Sequence, residues 1–93
     1  MITLEIPALL KQYTDGNNSL ELSASPNTNL LSVIKQVTNQ YPPLNAYLLT
    51  NDQQLVSFAS FYINGRDARS LDQENTLVND SDTISIILAI AGG

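Results

Sequence analysis

A single long segment of the chain repeats its apolar residues with the spacing of an α-helix. The residues that recur at positions i, i+4, i+7 and i+11 are Leu30, Ile34, Val37 and Tyr41. Thr28 or Asn29 is a suitable N-cap, and Pro42-Pro43 ends the helix because proline lacks the amide donor and restricts the preceding residue. The sequence therefore predicts one main helix of about three turns with one buried face.

Segments with the alternating pattern of half-buried strands lie on both sides of this helix. They span residues 2–6, 19–23, 58–63 and 83–90. The turn residues 15–18 favour a hairpin between the first two strands, and Asn64-Gly65 favours a hairpin after the third, with residues 68–71 as its short return. Residues 44–56 are less regular, with one helical turn at 46–49 and a polar loop at 51–54.

The last strand is the most apolar. Ile87 lies between the alternating apolar positions, which predicts that this strand is covered on both faces for part of its length and is central in the sheet. Placing the first and last strands side by side lets one helix cover the inner face of the sheet. The expected fold is α+β, a β-grasp with a mixed four- to five-stranded sheet covered by one main helix, in a single domain of residues 1–93.

The amino-acid composition limits the classes of partner that the chain can bind. Apolar residues make up 43% of the chain and charged residues 14%, with a net charge of −5. The four positive side chains do not form a basic patch that would neutralise phosphates, so nucleic acid is a poor candidate. The negative charge favours a protein partner with a basic groove, and we expect a monomer when the protein is free.

The sequence contains neither cysteine nor histidine. Without them the chain lacks the usual nucleophile, the usual general base and the commonest transition-metal ligands, so an independent enzyme or a metal site is not expected. No signal-peptide pattern or long apolar run is present, and we therefore expect a cytoplasmic protein without a membrane interaction.

The chain ends in Gly92-Gly93, directly after the apolar last strand. Glycine has no Cβ, so a terminal Gly-Gly carries its α-carboxylate on a thin, flexible segment that fits a narrow channel. It also leaves both faces of the terminal carbonyl carbon open to attack. The ending is typical of an acyl group that is delivered to another protein's active site, although a frayed terminus or a cloning remnant would give the same two residues.

Three stretches of the chain resemble the ubiquitin-like sulfur-carrier family of MoaD and ThiS. They are FYINGRD at 61–67, LVNDSDTISI at 77–86 and AIAGG at 89–93, and the opening IPALL at 6–10 is similar to the family's first strand and loop. The chain differs from the family at Ser81, where glycine is common, and in having no proline near Leu88. Among these carriers it most resembles the CysO type, which supplies sulfur to a cysteine synthase.

The resemblance implies a mechanism in which Gly93 is the reacting residue. A ubiquitin-activating-enzyme-like adenylyltransferase would use ATP and Mg²⁺ to form an acyl-adenylate at its carboxylate, and sulfur would replace AMP to give a thiocarboxylate. The carrier would bind no cofactor itself. The tail, Ala89 to Gly93, would thread a partner's active site and reach roughly 17 Å if fully extended. Its other members are Ile90, Ala91 and Gly92.

The resemblance leaves the pathway open. A cysteine synthase-like enzyme is the expected sulfur acceptor. The alternatives are a small subunit of molybdopterin synthase, with the tail held in the large subunit, and a ubiquitin-like protein modifier conjugated through Gly93.

Further residues are candidates for binding. If Phe61 and Ile63 face the helix, the outer face of the sheet carries an exposed apolar surface for docking. The candidate docking residues are Phe58, Tyr62, Arg66 and Arg69. Asp80 and Asp82 are close enough in sequence to suggest a cation site, but two carboxylates in one turn are more typical of turn formation.

Overall fold

A computed structural model describes residues 1–23, 25 and 27–89. The strands are β1 (Ile2–Glu5), β2 (Ser19–Leu22), β3 (Ala59–Ile63), β4 (Arg66–Asp67) and β5 (Thr83–Leu88), and the helices are α1 (Leu30–Gln40) and α2 (Asn45–Leu48). Short 3-10 helices occupy Ala8–Tyr13, Pro42–Leu44, Ala68–Ser70 and Gln73–Asn75.

The five strands form one mixed sheet in the order β2-β1-β5-β3-β4. β1 and β5 are parallel, with Leu4 beside Ile84, and the other neighbouring strands are antiparallel. The first and last strands of the chain are therefore adjacent, and β5 is central, as predicted. With α1 packed on one face, this is the predicted β-grasp fold.

Helix α1 begins at the predicted cap and supplies the main layer over the sheet. The side chain of Asn29 accepts a hydrogen bond from the amide of Ser32 at 2.8 Å, and α1 ends before Pro42 as predicted. Burying one apolar face against the sheet stabilises a helix that is too short to be stable alone. Its buried residues are Leu30, Val33, Ile34, Val37 and Thr38.

The inner face of the sheet completes the core. Phe61 and Ile63 of β3 are buried, as are Ile84 and Ile86 of β5. The predicted second covering of β5 is wrong: the Ile87 side chain is 55% exposed, because no element of the described chain packs over the outer face at that point.

The hairpin after β3 also corrects the sequence prediction. Asn64 and Gly65 have φ values of 53° and 85°, in the left-handed region that a tight hairpin turn requires. The return strand, however, is residues 66–67 and not residues 68–71. The Asp67 carboxylate accepts a hydrogen bond from the amide of Arg69 at 2.9 Å, which turns residues 68–70 into a 3-10 helix instead of a strand.

The irregular segment 44–56 contains the helical turn that was predicted there. Leu48 of α2 is buried, and a bridge between Leu49 and Leu55 closes the polar loop. The hydroxyl groups of Tyr13 and Tyr47 lie 3.2 Å apart and connect α2 to the first 3-10 helix, and this hydrogen bond raises the pKa of Tyr13.

The turn at residues 79–82 leads into β5 and is hydrogen-bonded to the start of β1. Ser81 has a φ of 74°, in the left-handed region that glycine adopts more easily than serine. Asp82 accepts hydrogen bonds from the amide of Asn79 at 2.8 Å and the side chain of Asn64 at 2.9 Å. Asp80 pairs with the N-terminal ammonium group of Met1. Both carboxylates therefore have roles in the turn.

Asp80 provides a test of this terminal contact. The N-terminal ammonium group, by its hydrogen bond and its charge, lowers the pKa of Asp80 from 3.8. A folded-state pKa below the unfolded value adds stability at higher pH, which is lost as the pH falls from about 4 through the folded value. We expect D80N to unfold at a slightly lower urea concentration than wild type at neutral pH and at the same concentration in strong acid. D52N, in an exposed loop, is the control. A difference in urea midpoint between wild type and D80N that stays the same at every pH would contradict the assignment.

Candidate functional site

The tail leaves the sheet from its central strand. β5 ends at Leu88, and the amide of Ala89 still donates a hydrogen bond to the carbonyl of Phe58 at 2.7 Å. We call Leu88 and Ala89 the tail root. Because β5 is hydrogen-bonded to β1 on one side and β3 on the other, the root has a fixed position relative to the core. The remaining predicted tail residues, 90–93, lie outside the described residues.

One edge of the sheet collects exposed apolar side chains near this root. Since β1 and β5 are parallel and β3 is antiparallel to β5, β1 and β5 end where β3 begins, and we call this the tail edge. Ile87 belongs to β5, Phe58 directly precedes β3, and Leu9 follows β1; they are 55%, 37% and 42% exposed. These are three of the five exposed large apolar residues in the described chain.

Strand register brings part of this set together on the outer face. Ile87 lies opposite Ser60, and Tyr62 lies opposite Ser85. Residues two apart along a strand share a face, so Phe58 and Tyr62 each lie diagonally across from Ile87 on the outer face. Each of the two is about 7–8 Å from Ile87. We call Phe58, Tyr62 and Ile87 the outer apolar patch. Phe58 and Ile87 border the tail root, and Tyr62 lies farther along β3.

The four residues predicted for docking lie near opposite ends of β3. Phe58 and Tyr62 are on the outer face as predicted, and Phe61 points into the core. The guanidinium Nη2 of Arg69 donates to the carbonyl of Ser57 at 3.4 Å, next to Phe58.

Arg66 lies away from Phe58 and from the Arg69 guanidinium but close to Tyr62. It pairs with Ile63 at the far end of β3, five residues from Phe58, which corresponds to roughly 17 Å. The tail edge therefore gathers Phe58 and Arg69, whereas Tyr62 and Arg66 lie near the far end of β3, and a docking role for any of the four stays a prediction.

Sequence reasoning missed Ile87 as a surface residue. Its position has the same parity as Thr83 and Ser85, whose polar side chains mark the outer face. That alternation was the available signal, and the apolar character of Ile87 obscured it. Leu9 was missed because the 3-10 helix at Ala8–Tyr13 has no periodic pattern.

The charges near the patch come from its two sides. Glu5 of β1 is exposed on the outer face and accepts a hydrogen bond from the hydroxyl of Ser85, while on the other side Asp67 of β4 lies opposite Tyr62, with Arg69 two residues further along the chain. Within residues 1–23, 25 and 27–89, no three Asp or Glu side chains cluster in a way that could hold a metal ion. In the same residues no helix has the length and hydropathy of a membrane span.

Comparison with known proteins identifies the family to which this arrangement belongs. The ThiS family model matches residues 4–93. The chain belongs to the ThiS/MoaD family of ubiquitin-like sulfur carriers. It is 32% identical to the sulfur carrier protein CysO of Mycobacterium tuberculosis over 94 residues, which cover 99% of this chain and 98% of that protein. The predicted resemblance is thus confirmed.

Solved structures agree with the family assignment. The crystal structure of the Amycolatopsis orientalis BexX/CysO complex contains a chain that is 30% identical, with a TM-score of 0.86 and complete coverage of both chains. The solution structure of small archaeal modifier protein 1 from Methanosarcina acetivorans is 26% identical, with a TM-score of 0.83, and covers 99% of this chain and 95% of that one. The carrier therefore shares its whole described fold with these proteins.

Two neighbouring isoleucines of β5 test the assignment of the outer face. Ile86→Ala removes a buried side chain and is expected to lower the free energy of unfolding by about 2–5 kcal/mol. Ile87→Ala removes a mostly exposed one, so its cost is expected to be below about 1 kcal/mol. Urea denaturation of both variants measures the difference. Equal losses would mean that Ile87 is a core residue and that the outer apolar patch does not exist.

Proposed function

We propose that this carrier accepts sulfur at the C-terminal carboxylate of Gly93 and donates it, as a thiocarboxylate, to a biosynthetic acceptor. The observation that carries the proposal is the continuity between the rigid central strand and the terminal Gly-Gly. Ala89 is still bonded to the Phe58 carbonyl at 2.7 Å, and the sequence ends four residues later. A fixed body and a short segment that ends in two glycines suit a group that must enter another protein's active site.

Activation requires a partner that uses ATP and Mg²⁺. A carboxylate oxygen of Gly93 attacks the α-phosphorus of ATP and pyrophosphate leaves, which gives an acyl-adenylate. Hydrosulfide then attacks the carbonyl carbon and AMP leaves with its bonding electrons, which gives the thiocarboxylic acid; this loses its proton at neutral pH. If the donor is a persulfide, its terminal sulfur attacks instead, and a second thiol must cleave the resulting S–S bond.

The carrier itself contributes the position of the reacting carboxylate. Four residues beyond Ala89, at about 3.4 Å each, extend roughly 14 Å from the root. Further reach would require the hydrogen bond between Ala89 and Phe58 to break. Because the root is held by two neighbouring strands, the tail length sets the greatest distance from the docked body to the reacting carbon.

The outer apolar patch is the surface that we expect the activating partner to cover. Its members Phe58 and Ile87 border the tail root, and Tyr62 extends the patch along β3, so a partner bound there receives the tail directly. An exposed apolar surface of this kind marks an interaction site more often than an isolated exposed residue does. Burial of the patch would provide affinity, and the tail would provide the chemistry.

We propose a cysteine synthase-like enzyme as the sulfur acceptor. The support is the 32% identity to CysO across nearly the whole chain, together with the resemblance to the CysO type in the sequence. A small subunit of molybdopterin synthase is the alternative within the same chemistry. A tightly bound large subunit that purifies with the carrier would favour that alternative, whereas transient binding favours a free carrier.

A ubiquitin-like modifier is the second candidate function. The 26% identity to a small archaeal modifier protein is the observation that favours it. Both functions begin with the same adenylation, and they differ in the nucleophile, which is sulfur for a carrier and an amine for a modifier. Heavier conjugates that are trapped from cells and lost on removal of Gly93 would favour the modifier.

The proposal predicts different effects on chemistry and folding when Gly93 is deleted. We expect the deletion variant to unfold at the wild-type urea concentration, because the core ends before the tail, and to accept no sulfur. The measurement is intact mass spectrometry after incubation with the cognate adenylyltransferase, Mg-ATP and sulfide. In wild type the mass should rise by the difference between one sulfur and one oxygen atom.

Two controls complete this experiment. A variant with one alanine added after Gly93 moves the carboxylate by one residue and should also remain unmodified. Gln36→Ala, on the exposed face of α1, should gain sulfur at the wild-type rate. Sulfur uptake by the deletion variant would contradict the proposal, and unfolding of that variant would show that the tail is part of the structure.

A further inference from the structure

Asn64 connects the hairpin turn after β3 to the start of β5 by both ends of its side-chain amide. Its Nδ2 donates to the Asp82 carboxylate at 2.9 Å, and its Oδ1 accepts from the amide of Thr83 at 2.9 Å. The backbone amide of Asn64 also donates to the carbonyl of Thr83 at 2.8 Å. We call Asn64, Asp82 and Thr83 the turn clamp.

The turn clamp extends to β1 through Asp82. The second oxygen of the Asp82 carboxylate accepts from the amide of Asn79 at 2.8 Å, and the backbone carbonyl of Asp82 accepts from the amide of Thr3 at 3.0 Å. The side chain of Asn64 therefore joins the end of β3 to the bonds that link the starts of β1 and β5. Thr83 lies five residues along β5 from Leu88, roughly 17 Å, so the proposed sulfur chemistry does not use the clamp.

Asn64 is followed by Gly65, and this is the only Asn-Gly pair in the chain. Glycine has no side chain to crowd its backbone nitrogen, so this nitrogen can attack the side-chain carbonyl carbon of a preceding asparagine. Asparagine is one of the thermolabile residues of proteins for this reason. Both residues are exposed, and a Cβ placed on Gly65 would meet no atom within 4 Å beyond its chain neighbours, so water reaches the turn.

The reaction open to this pair is deamidation. The nitrogen of Gly65 forms a bond to Cγ of Asn64 and loses its proton, and the Cγ–Nδ2 bond breaks as ammonia leaves with the bonding electrons and that proton. The product is a cyclic imide. Water then opens the ring at either of its carbonyls, which gives aspartate or isoaspartate at position 64. The reaction needs no oxidant, reductant or enzyme.

The folded turn opposes closure of this ring. Asn64 and Gly65 form a two-residue hairpin turn in which both φ values are positive, which is a type I′ turn. With the ideal angles of that turn, the nitrogen of Gly65 lies on the opposite side of the Cα–C bond from the Cβ of Asn64. The backbone has to rotate about this bond before the nitrogen can approach Cγ, and the hydrogen bonds of the turn clamp resist that rotation.

We propose that Asn64 is a site of spontaneous deamidation that the turn clamp protects in the folded protein, and that deamidation there opens the clamp. An aspartate in place of Asn64 has no donor for the Asp82 carboxylate, so two negative charges face each other where a hydrogen bond of 2.9 Å had been. Isoaspartate adds a carbon to the backbone and does not fit a two-residue turn. The inference concerns the stability and lifetime of the protein and is independent of the proposed function.

The rate of deamidation in folded and unfolded protein tests the protection. Wild-type protein is incubated at neutral pH and physiological temperature, with and without guanidinium chloride above the unfolding transition. Mass spectrometry of the peptide that contains Asn64 follows the replacement of NH by oxygen. We expect the reaction at Asn64 to be at least about tenfold slower in the folded protein, because it requires opening of the turn. Equal rates in both conditions would overturn the protection, and absence of the reaction in the unfolded chain would overturn the site.

An exchange of the two clamp side chains tests the consequence. N64D places two carboxylates in the clamp, and D82N leaves one N–H of the clamp facing another N–H whichever way its amide is turned. We expect each single variant to unfold at a lower urea concentration than wild type. N64D/D82N reverses donor and acceptor, allows every hydrogen bond of the clamp and keeps the net charge of −5, so its urea midpoint should return close to that of wild type.

N51D is the matched control, because it adds the same charge in an exposed loop and should leave the urea midpoint unchanged. If N64D alone does not fold, the comparison of N64D/D82N with D82N carries the test. Losses that simply add in the double variant would mean that the two side chains do not bond to each other, and would overturn the clamp. A midpoint for N64D equal to that of N51D would overturn the proposal that deamidation opens it.

Discussion

The parallel pairing of β1 with β5 is the contact on which the rest of this carrier depends. It joins residues about eighty positions apart, with Leu4 beside Ile84, and brings both ends of the chain to the middle of one sheet. Because the pairing is parallel, both strands end at the same edge. That edge therefore carries the tail root, the loop that follows β1 and the start of β3. Loss of this pairing would remove the core and the presentation of the tail together.

Apolar periodicity explains how much of the fold the sequence predicts. The face of α1, the hairpin turn at Asn64-Gly65 and the central position of β5 depend on local patterns and on the need to cover one face of one sheet. The β-grasp fold follows from their order. Two predictions were wrong, and each depended on information outside its own segment. Ile87 is exposed because nothing in the described chain covers it, and the return strand stops at Asp67 because its carboxylate caps a 3-10 helix.

The candidate site was predictable in part for the same reason. The proposed role of Gly93 rests on the end of the chain alone, since that chemistry needs no neighbouring side chains, and it stays a prediction. The surface around the tail root needs strand register, which sequence patterns do not supply. Phe58 and Tyr62 were identified by parity along one strand. Arg69 and Arg66 were indistinguishable in sequence. In the structure the Arg69 guanidinium lies before the start of β3, at Ser57, whereas Arg66 pairs with Ile63 at its end.

The central claim is that sulfur enters this chain at its terminal carbonyl and nowhere else. The most direct test uses isotopically labelled sulfide with the cognate adenylyltransferase and Mg-ATP, followed by fragmentation of the C-terminal peptide in a tandem mass spectrometer. The account predicts that the label lies on the terminal fragment that contains Gly93 and on no other fragment. Label on an internal residue, or ATP consumption with no label in the chain, would contradict it.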